Sequence, residues 1–143
     1  DAGVLHDIGK IGIKDDILLK PGPLTPDEEK IMQQHSVIGE AIVKPVRSLQ
    51  KVVALVRHHH ERFDGAGYPS GLKGEAVPLG ARILSVADTY DSMITDRPYR
   101  KRLTVDDAKA ELQRYAGIQY DPKIVQAFLQ VLADKEHRRA AHA

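Results

Sequence analysis

The sequence predicts an all-α domain. Across most of its 143 residues, apolar side chains recur at intervals of three, four and seven, the spacing that places residues on one face of a helix. Two helix starts are marked by a capping residue followed by proline, at 25–26 and at 121–122. No segment shows the alternation of apolar and polar residues that is typical of a strand. The length fits one domain with a buried core.

The first ten residues predict the end of a helix. No capping residue precedes Val4 and Leu5, and Gly9 stands where a helix commonly ends. We therefore expect the chain to begin inside a helix and to lack the N-terminal helices of its domain.

A second helix is predicted from Thr25 to about Lys44. Thr25 can cap this helix, and Glu28 can complete a capping box with it. One apolar face is formed by Ile31, Ile38, Ala41 and Ile42. His35 falls on this face and is therefore expected to point inward.

The third predicted helix ends in three consecutive histidines, His58, His59 and His60. Ser48 can cap it. Its inner face contains Val52, Leu55, Val56 and His59. Residues 62–80 then hold seven glycines and prolines, too many for a regular element. We predict a long surface loop here, and loops of this length in compact domains are usually functional.

Three more helices are predicted, at 79–95, at 104–117 and from 121 onward. The first of these carries Asp88 and Asp91 on one side. Residues 135–143 are charged and rich in alanine, and we expect them to form a disordered tail.

The composition narrows the classes of function. With 21 basic and 20 acidic residues the net charge is +1, so no overall field favours a nucleic-acid polymer or a membrane surface as partner. The absence of cysteine excludes disulfides and thiolate metal sites, which leaves histidine and carboxylate as metal ligands. The sequence contains no signal peptide or membrane-spanning apolar stretch, and we expect a cytoplasmic location.

Separate segments of the chain carry metal-binding side chains. His6 and Asp7 are adjacent, and neighbouring side chains on a helix diverge by about 100 degrees. Both can therefore reach one metal only from opposite sides of a helix end, or they can bridge two metals, for which an aspartate is well suited. The histidine triplet and Asp88 supply the same ligand types. Taken alone, a His-Asp pair is usually structural, and a histidine triplet can be a polar helix end. Together with His35, these residues predict a polynuclear metallohydrolase.

The sequence resembles the HD-GYP phosphodiesterases, a bacterial branch of the HD metal-dependent phosphohydrolases that degrades cyclic di-GMP. His6-Asp7 is similar to the HD pair of that family, with its lysine at Lys10, and Gly67-Tyr68-Pro69 is similar to the GYP triplet. Further matches to the family pattern are His35, His59-His60-Glu61, Asp64-Gly65, Ala81-Arg82-Ile83, Ala87-Asp88 and Arg97-Pro98-Tyr99-Arg100. The resemblance implies an HD-domain helical bundle over residues 1–134, truncated at its N-terminal end.

The resemblance also implies a cluster of two or three divalent metal ions, with iron or manganese expected. The implied metal ligands are His6, Asp7, His35, His59, His60 and Asp88. Asp7 would bridge two metals. His6 and Asp88 would complete the coordination of one metal, and the other three histidines would bind the second. His58 would take no part, and Glu61 would either orient a metal-bound histidine or form a salt bridge at the helix end.

For the substrate, the resemblance implies phosphate contacts from Lys10, Arg97 and Arg100. Tyr68 would contact the ligand from its loop. Asp7 and Lys10 would be the catalytic residues, since one would hold both metals and the other would add positive charge at the leaving oxygen. Guanidinium groups suit phosphate recognition because they donate two parallel hydrogen bonds.

The sequence departs from the family pattern at its start. The family has a histidine, and in some members a glutamate, on a helix ahead of the HD pair, and this sequence contains neither. One metal would then lack a protein ligand, and a third metal would not bind. Lys14 stands where the family usually has proline.

Three functions follow from the resemblance. The leading one is hydrolysis of cyclic di-GMP to pGpG and further to GMP. The first alternative is a catalytically weak adaptor that binds diguanylate cyclase (GGDEF) domains through residues 65–74. The second is a general nucleotide phosphohydrolase of the wider HD class, against which the GYP loop argues. Exposed apolar residues at Val4, Leu5 and Ile8 would also favour a homodimer.

Overall fold

The all-α prediction is confirmed by the computed structural model, which describes residues 2–96 and 101–140. Within these ranges, turns connect eight α-helices and three 3-10 helices, and the β-type pairing is limited to one isolated bridge between Ala116 and Tyr120. The α-helices are α1 (Ala2–Leu5), α2 (Asp15–Leu18), α3 (Pro26–Gln33), α4 (His35–Val43), α5 (Gln50–His58), α6 (Leu79–Ile94), α7 (Val105–Arg114) and α8 (Pro122–Ala140). The 3-10 helices are Ile8–Gly12, Arg47–Leu49 and Gly74–Ala76. None of the helices in the described ranges is long and apolar enough to span a membrane.

The predicted helix starts are confirmed at three places. The Thr25 side chain accepts a hydrogen bond from the Glu28 backbone N–H, and the Glu28 carboxylate accepts one from the Thr25 N–H, which completes the capping box. Thr104 caps α7 by accepting from the Asp107 N–H at 3.1 Å. Helix α8 begins at Pro122, where a missing N–H loses no helical bond.

The single helix predicted at 25–44 is wrong, because two helices, α3 and α4, occupy this segment. The Gln34 backbone N–H bonds to the Ile31 carbonyl, three residues back, and this tighter turn interrupts the α-helical ladder. The predicted apolar face is divided as a result, and Ile31 and Ile42 are 44% and 41% exposed. His35, at the start of α4, is buried as predicted.

Helix α5 ends at His58, whereas the prediction placed the whole histidine triplet at the end of this helix. His59 is the C-cap, and His60 follows it in a turn. The predicted cap of α5 is wrong: Ser48 lies inside the 3-10 helix Arg47–Leu49, and α5 begins at Gln50 without a side-chain cap bond. Val52, Val56 and His59 are buried, which confirms the predicted inner face at these three positions.

The 3-10 helix Ile8–Gly12 packs directly against α4 at Gly9. A Cβ atom at Gly9 would lie 1.8 Å from the carbonyl oxygen of His35 and 2.4 Å from the backbone nitrogen of Gly39. The expectation that Gly9 ends a helix is therefore wrong, since it is buried within the 3-10 helix and lets two backbones touch. This contact holds the segment that carries Asp7 beside the start of α4.

Helices α6, α7 and α8 enclose the main core. Its buried members are Val86, Met93, Ala108, Leu112, Tyr120 and Val125. Helix α8 continues to Ala140, whereas the charged composition predicted a disordered tail from residue 135. Lys109 on α7 pairs with Glu136 at 2.7 Å and connects that part of α8 to its neighbour.

The segment predicted as a long loop, 62–80, is irregular from residue 62 to the start of α6 apart from the 3-10 helix Gly74–Ala76, but it is tied to the body of the protein. The backbone N–H groups of Phe63 and Asp64 donate to the carbonyls of Gln119 and Ile118, at 3.0 and 2.8 Å. Val77, near the end of the loop, is 1% exposed. The loop is therefore anchored at both ends.

A buried ion pair joins α6 to the start of α8. The side chains of Arg82 and Asp121 are 14% and 2% exposed, and Arg82 also donates to the Val77 carbonyl. We expect Arg82→Ala to lower the free energy of unfolding by about 3 kcal/mol, because it leaves the buried Asp121 carboxylate without its cation. Urea denaturation followed by circular dichroism measures this change.

Lys123→Ala is the matched control for this prediction. Lys123 pairs with Glu75, but the two side chains are 80% and 72% exposed. Water screens such a pair, so the expected loss is below about 1 kcal/mol. Equal losses for the two variants would contradict the prediction that the buried pair contributes more to the free energy of unfolding than the exposed pair does.

Candidate metal centre

Asp7 lies at the centre of a cluster of histidines and acids. Its Oδ1 atom is 3.5 Å from Nε2 of His35 and 3.9 Å from Nε2 of His59. Its other oxygen, Oδ2, is 3.5 Å from Nε2 of His6. His6 Nε2 is in turn 3.5 Å from Oδ1 of Asp88, on α6. The two oxygens of one carboxylate therefore face two different sets of ligand atoms.

His60 completes the first of these sets. One ligand atom each from Asp7, His35, His59 and His60 can be chosen so that all four lie within 4.8 Å of one another, which is close enough to hold one metal ion. The His59 and His60 rings are 4.0 Å apart at their centroids, and the His35 and His60 rings 5.0 Å. His35 comes from the start of α4, and His59 and His60 directly follow α5, which packs against α4.

Three of the histidines are oriented in the same way. The Nδ1 atoms of His6, His35 and His59 lie 2.9, 2.6 and 2.7 Å from the carbonyl oxygens of Gly3, Met32 and Val56. A carbonyl can only accept, so Nδ1 carries a proton in each of these rings. In neutral His35 and His59 this leaves a free lone pair on Nε2, directed at the cluster. This second hydrogen bond is the usual companion of a metal-binding histidine.

The environment keeps the inner histidines neutral. Burial lowers the pKa of His35, and it lowers the pKa of His59 to about 4 and of His60 to about 3. A metal ligand must be an unprotonated imidazole, and these three are unprotonated at neutral pH. The hydrogen bond to Asp88 raises the pKa of His6 and lowers that of Asp88.

Asp7 is ionised despite its partial burial. Burial by itself would raise the pKa of its carboxyl group, but the hydrogen bond and the charge of Lys10 outweigh this and lower it. The Nζ atom of Lys10 lies 2.6 Å from Asp7 Oδ2. The neutral imidazoles of His35, His59 and His60 thus surround an ionised carboxylate, a donor set that fits a divalent ion of the iron, manganese or zinc type.

Of the residues implied for the substrate, Lys10 and Tyr68 lie at the cluster. The Tyr68 ring stacks on the His60 ring, with centroids 4.8 Å apart and an interplanar angle of 27°. Burial raises the pKa of the Tyr68 hydroxyl, which is therefore protonated at neutral pH. Arg97 and Arg100 lie outside the described residues. Asp91, which the helical spacing placed near Asp88, is exposed.

Of the two roles that the sequence suggested for Glu61, the structure shows the contact at the helix end, with His58, and adds a second role. The Glu61 carboxylate accepts hydrogen bonds from the backbone N–H groups of Ser70 and Leu72, at 2.8 and 3.0 Å. Oε1 also lies 3.3 Å from Nδ1 of His58, which is not among the residues grouped as candidate metal ligands. Sequence reasoning missed the contacts with Ser70 and Leu72 because these partners are main-chain groups, which leave no side-chain signal.

A helical bundle in which an adjacent His-Asp pair meets buried histidines and a second aspartate is the arrangement of the HD domain class. Residues 1–124 match the family model described as HD domain, and the chain belongs to that family. The predicted resemblance to the HD-GYP phosphodiesterases is confirmed by its relatives.

Two of these relatives are similar over most of the chain. The cyclic di-GMP phosphodiesterase of Thermotoga maritima is 47% identical over 134 residues, which cover 91% of this chain and 36% of that protein. The cyclic di-GMP phosphodiesterase response regulator RpfG of Xanthomonas campestris is 46% identical over 137 residues, which cover 94% and 36%. The chain thus spans about a third of the length of these curated relatives.

A solved structure supports the fold. The cyclic GMP-AMP specific phosphodiesterase of Vibrio cholerae matches with a TM-score of 0.66 over 91% of this chain and 36% of that one. At 20% sequence identity, this likeness shows a shared fold and carries no statement about substrate.

Proposed function

We propose that the chain is the catalytic domain of a metal-dependent phosphodiesterase that hydrolyses cyclic di-GMP to pGpG and further to GMP. The observation that carries this proposal is the position of Asp7, whose two carboxylate oxygens face separate groups of ligand atoms. The names of the relatives from Thermotoga maritima and Xanthomonas campestris support cyclic di-GMP as the substrate.

In this proposal, the metal ligands divide into two groups that share Asp7. His6 and Asp88 would hold one ion, and His35, His59 and His60 the other. Two divalent ions, when bound, supply a nucleophilic water at neutral pH and neutralise negative charge on the phosphoryl group. Iron or manganese is the expected metal.

The remaining residues would bind and orient the substrate. Lys10 holds a positive charge 2.6 Å from Asp7, where it can stabilise negative charge that develops on the leaving oxygen. The Tyr68 ring stacks on one face of the His60 ring, where it can contact the substrate. From the sequence alone, Arg97 and Arg100 are proposed to grip the phosphates.

A product assay tests the proposal. We expect the protein, loaded with Mn(II) or Fe(II) and supplied with cyclic di-GMP, to release pGpG, which chromatography separates from GMP. His59→Ala should lower the rate at least about a hundredfold, because it removes a buried ligand. His137→Ala, which alters a histidine on the exposed part of α8, is the matched control and should leave the rate unchanged.

The same assay separates the alternatives. Uptake of metal without any turnover of cyclic di-GMP would contradict the enzyme and favour the adaptor, whose complex with a diguanylate cyclase domain would then be lost in Tyr68→Ala. Turnover of many nucleotides with no preference for cyclic di-GMP would favour the general phosphohydrolase. The cyclase partner, the homodimer and the cytoplasmic location stay predictions.

A further inference from the structure

Glu61 is a buried carboxylate to which the proposed mechanism gives no role. Its side chain is fully buried, and it lies next to His60 in the sequence. An ionised carboxylate in such a place is costly unless hydrogen bonds satisfy its oxygens. Here Oε1 accepts from the Ser70 N–H and Oε2 from the Leu72 N–H, so that both oxygens are used to hold the backbone of the 62–80 loop.

Together with Glu61, the loop backbone fixes Tyr68 from both sides. Just before it, Gly67 packs so closely that an added Cβ would lie 2.3 Å from the backbone nitrogen of Arg62 and 2.6 Å from the carbonyl oxygen of His60. The Tyr68 N–H itself donates to that carbonyl at 3.3 Å. Just after it, the two amides at Ser70 and Leu72 are bound by Glu61. The short backbone segment that carries Tyr68 is therefore held in place on both sides of that residue.

Tyr68 contacts both the metal cluster and a neighbouring open cavity. On the cluster side, its ring stacks on His60. It also lines a cavity of about 310 Å³, with Leu24, Glu29, Met32 and Gln33 as the other lining residues. Met32 connects the two sides as well, because its carbonyl accepts from the His35 Nδ1–H. Polar side chains, Glu29 and Gln33, alternate here with apolar ones, a mixture that can bind and orient a small ligand.

We propose that Glu61 is a positioning residue for substrate binding, which holds Tyr68 where it contacts both the metal cluster and this cavity. The inference rests on the proposed function, in which the phosphodiester lies at the cluster. A nucleobase of the same substrate would then enter the adjacent cavity. Glu61 acts through the loop backbone and touches neither the substrate nor the reacting atoms.

Glu61→Gln tests this role, since it keeps the size of the side chain and replaces one accepting oxygen by a donating NH₂ group. We expect amide hydrogen exchange at Ser70 or Leu72 to become at least about tenfold faster, which is the loss of one hydrogen bond to a charged group. The KM for cyclic di-GMP should rise by about tenfold, while kcat stays within about threefold. Metal content and the hydrolysis of bis(p-nitrophenyl) phosphate, which has no nucleobase, should be unchanged.

A double-mutant cycle shows whether Glu61 acts through Tyr68. Tyr68→Ala should raise the KM for cyclic di-GMP, and adding Glu61→Gln to it should raise the KM no further. Glu75→Gln is the matched control, because Glu75 lies on the same loop but is exposed and pairs with Lys123. If Glu61→Gln does not fold, Glu61→Asp, which keeps the charge on a shorter side chain, carries the same expectations.

Several results would overturn the inference. One is an unchanged KM with accelerated exchange, another is a loss of bound metal, and a third is full additivity of the two substitutions. These failures differ from a failure of the proposed function. In that case the wild-type protein itself would not turn over cyclic di-GMP, and the inference would fall with it whatever the exchange rates at Ser70 and Leu72.

Discussion

Asp7→Ala is expected to abolish hydrolysis of cyclic di-GMP, with a loss of at least about a thousandfold in kcat/KM. The physical reason is geometric: one oxygen of Asp7 faces His35 and His59, and the other faces His6. Removing this carboxylate takes a ligand from both proposed metals at once. Elemental analysis of the purified variant should accordingly show less bound metal than the wild-type protein.

Two further variants show whether this loss comes from the bridging position of Asp7. Lys10→Ala should lower the rate less than Asp7→Ala and should leave the metal in place, because Lys10 contributes charge and no ligand atom. Asp91→Ala alters an exposed acid one helical turn from Asp88 and should change neither property. A larger loss for Lys10→Ala than for Asp7→Ala would contradict the assignment of Asp7 as the bridging ligand.

Gly9→Ala is expected to lower the free energy of unfolding by at least about 3 kcal/mol. The new methyl group would lie 1.8 Å from the His35 carbonyl oxygen and 2.4 Å from the Gly39 nitrogen. Both neighbours are backbone atoms, so the 3-10 helix Ile8–Gly12 and α4 must move apart to admit it. Thermal and urea denaturation measure the loss, and metal uptake should weaken as well, because Asp7 and His35 would separate.

Gly3→Ala is the control for the glycine prediction. Gly3 lies in α1, and an added Cβ would meet nothing within 4 Å. Alanine is favoured over glycine in a helix, so the stability should stay the same or rise by up to about 1 kcal/mol. If Gly9→Ala were as well tolerated as Gly3→Ala, the close backbone contact would be wrong.

Local chemistry explains which parts of the fold could be predicted from the sequence. Thr25 and Thr104 mark helix starts because capping depends on side chains that lie within the same turn. His35 could be placed inside the fold from its spacing to apolar neighbours. The interruption at Gln34 could not be predicted, since it consists of a single backbone bond that shifts from one carbonyl to another.

In the candidate site, too, features that depend on side chains could be predicted and features that depend on the folded backbone could not. The ligand types and their separate origins are evident from the sequence, and the resemblance to the HD-GYP family proposes which of them meet. The orientation of each ring, the pairing of Lys10 with Asp7 and the hold of Glu61 on two loop amides depend on the folded backbone. Hydrogen bonds to main-chain groups cannot be predicted from the pattern of side chains.

The carbonyl groups that bond to His6, His35 and His59 affect how this site tolerates amino-acid substitutions. Each carbonyl belongs to the residue three positions earlier, Gly3, Met32 or Val56. Every amino acid brings the same C=O group, so the tautomer of these imidazoles is insensitive to the identity of the residue that fixes it. Each histidine therefore has its Nδ1 hydrogen bond supplied within a single turn, whatever the side chain of the residue three positions earlier.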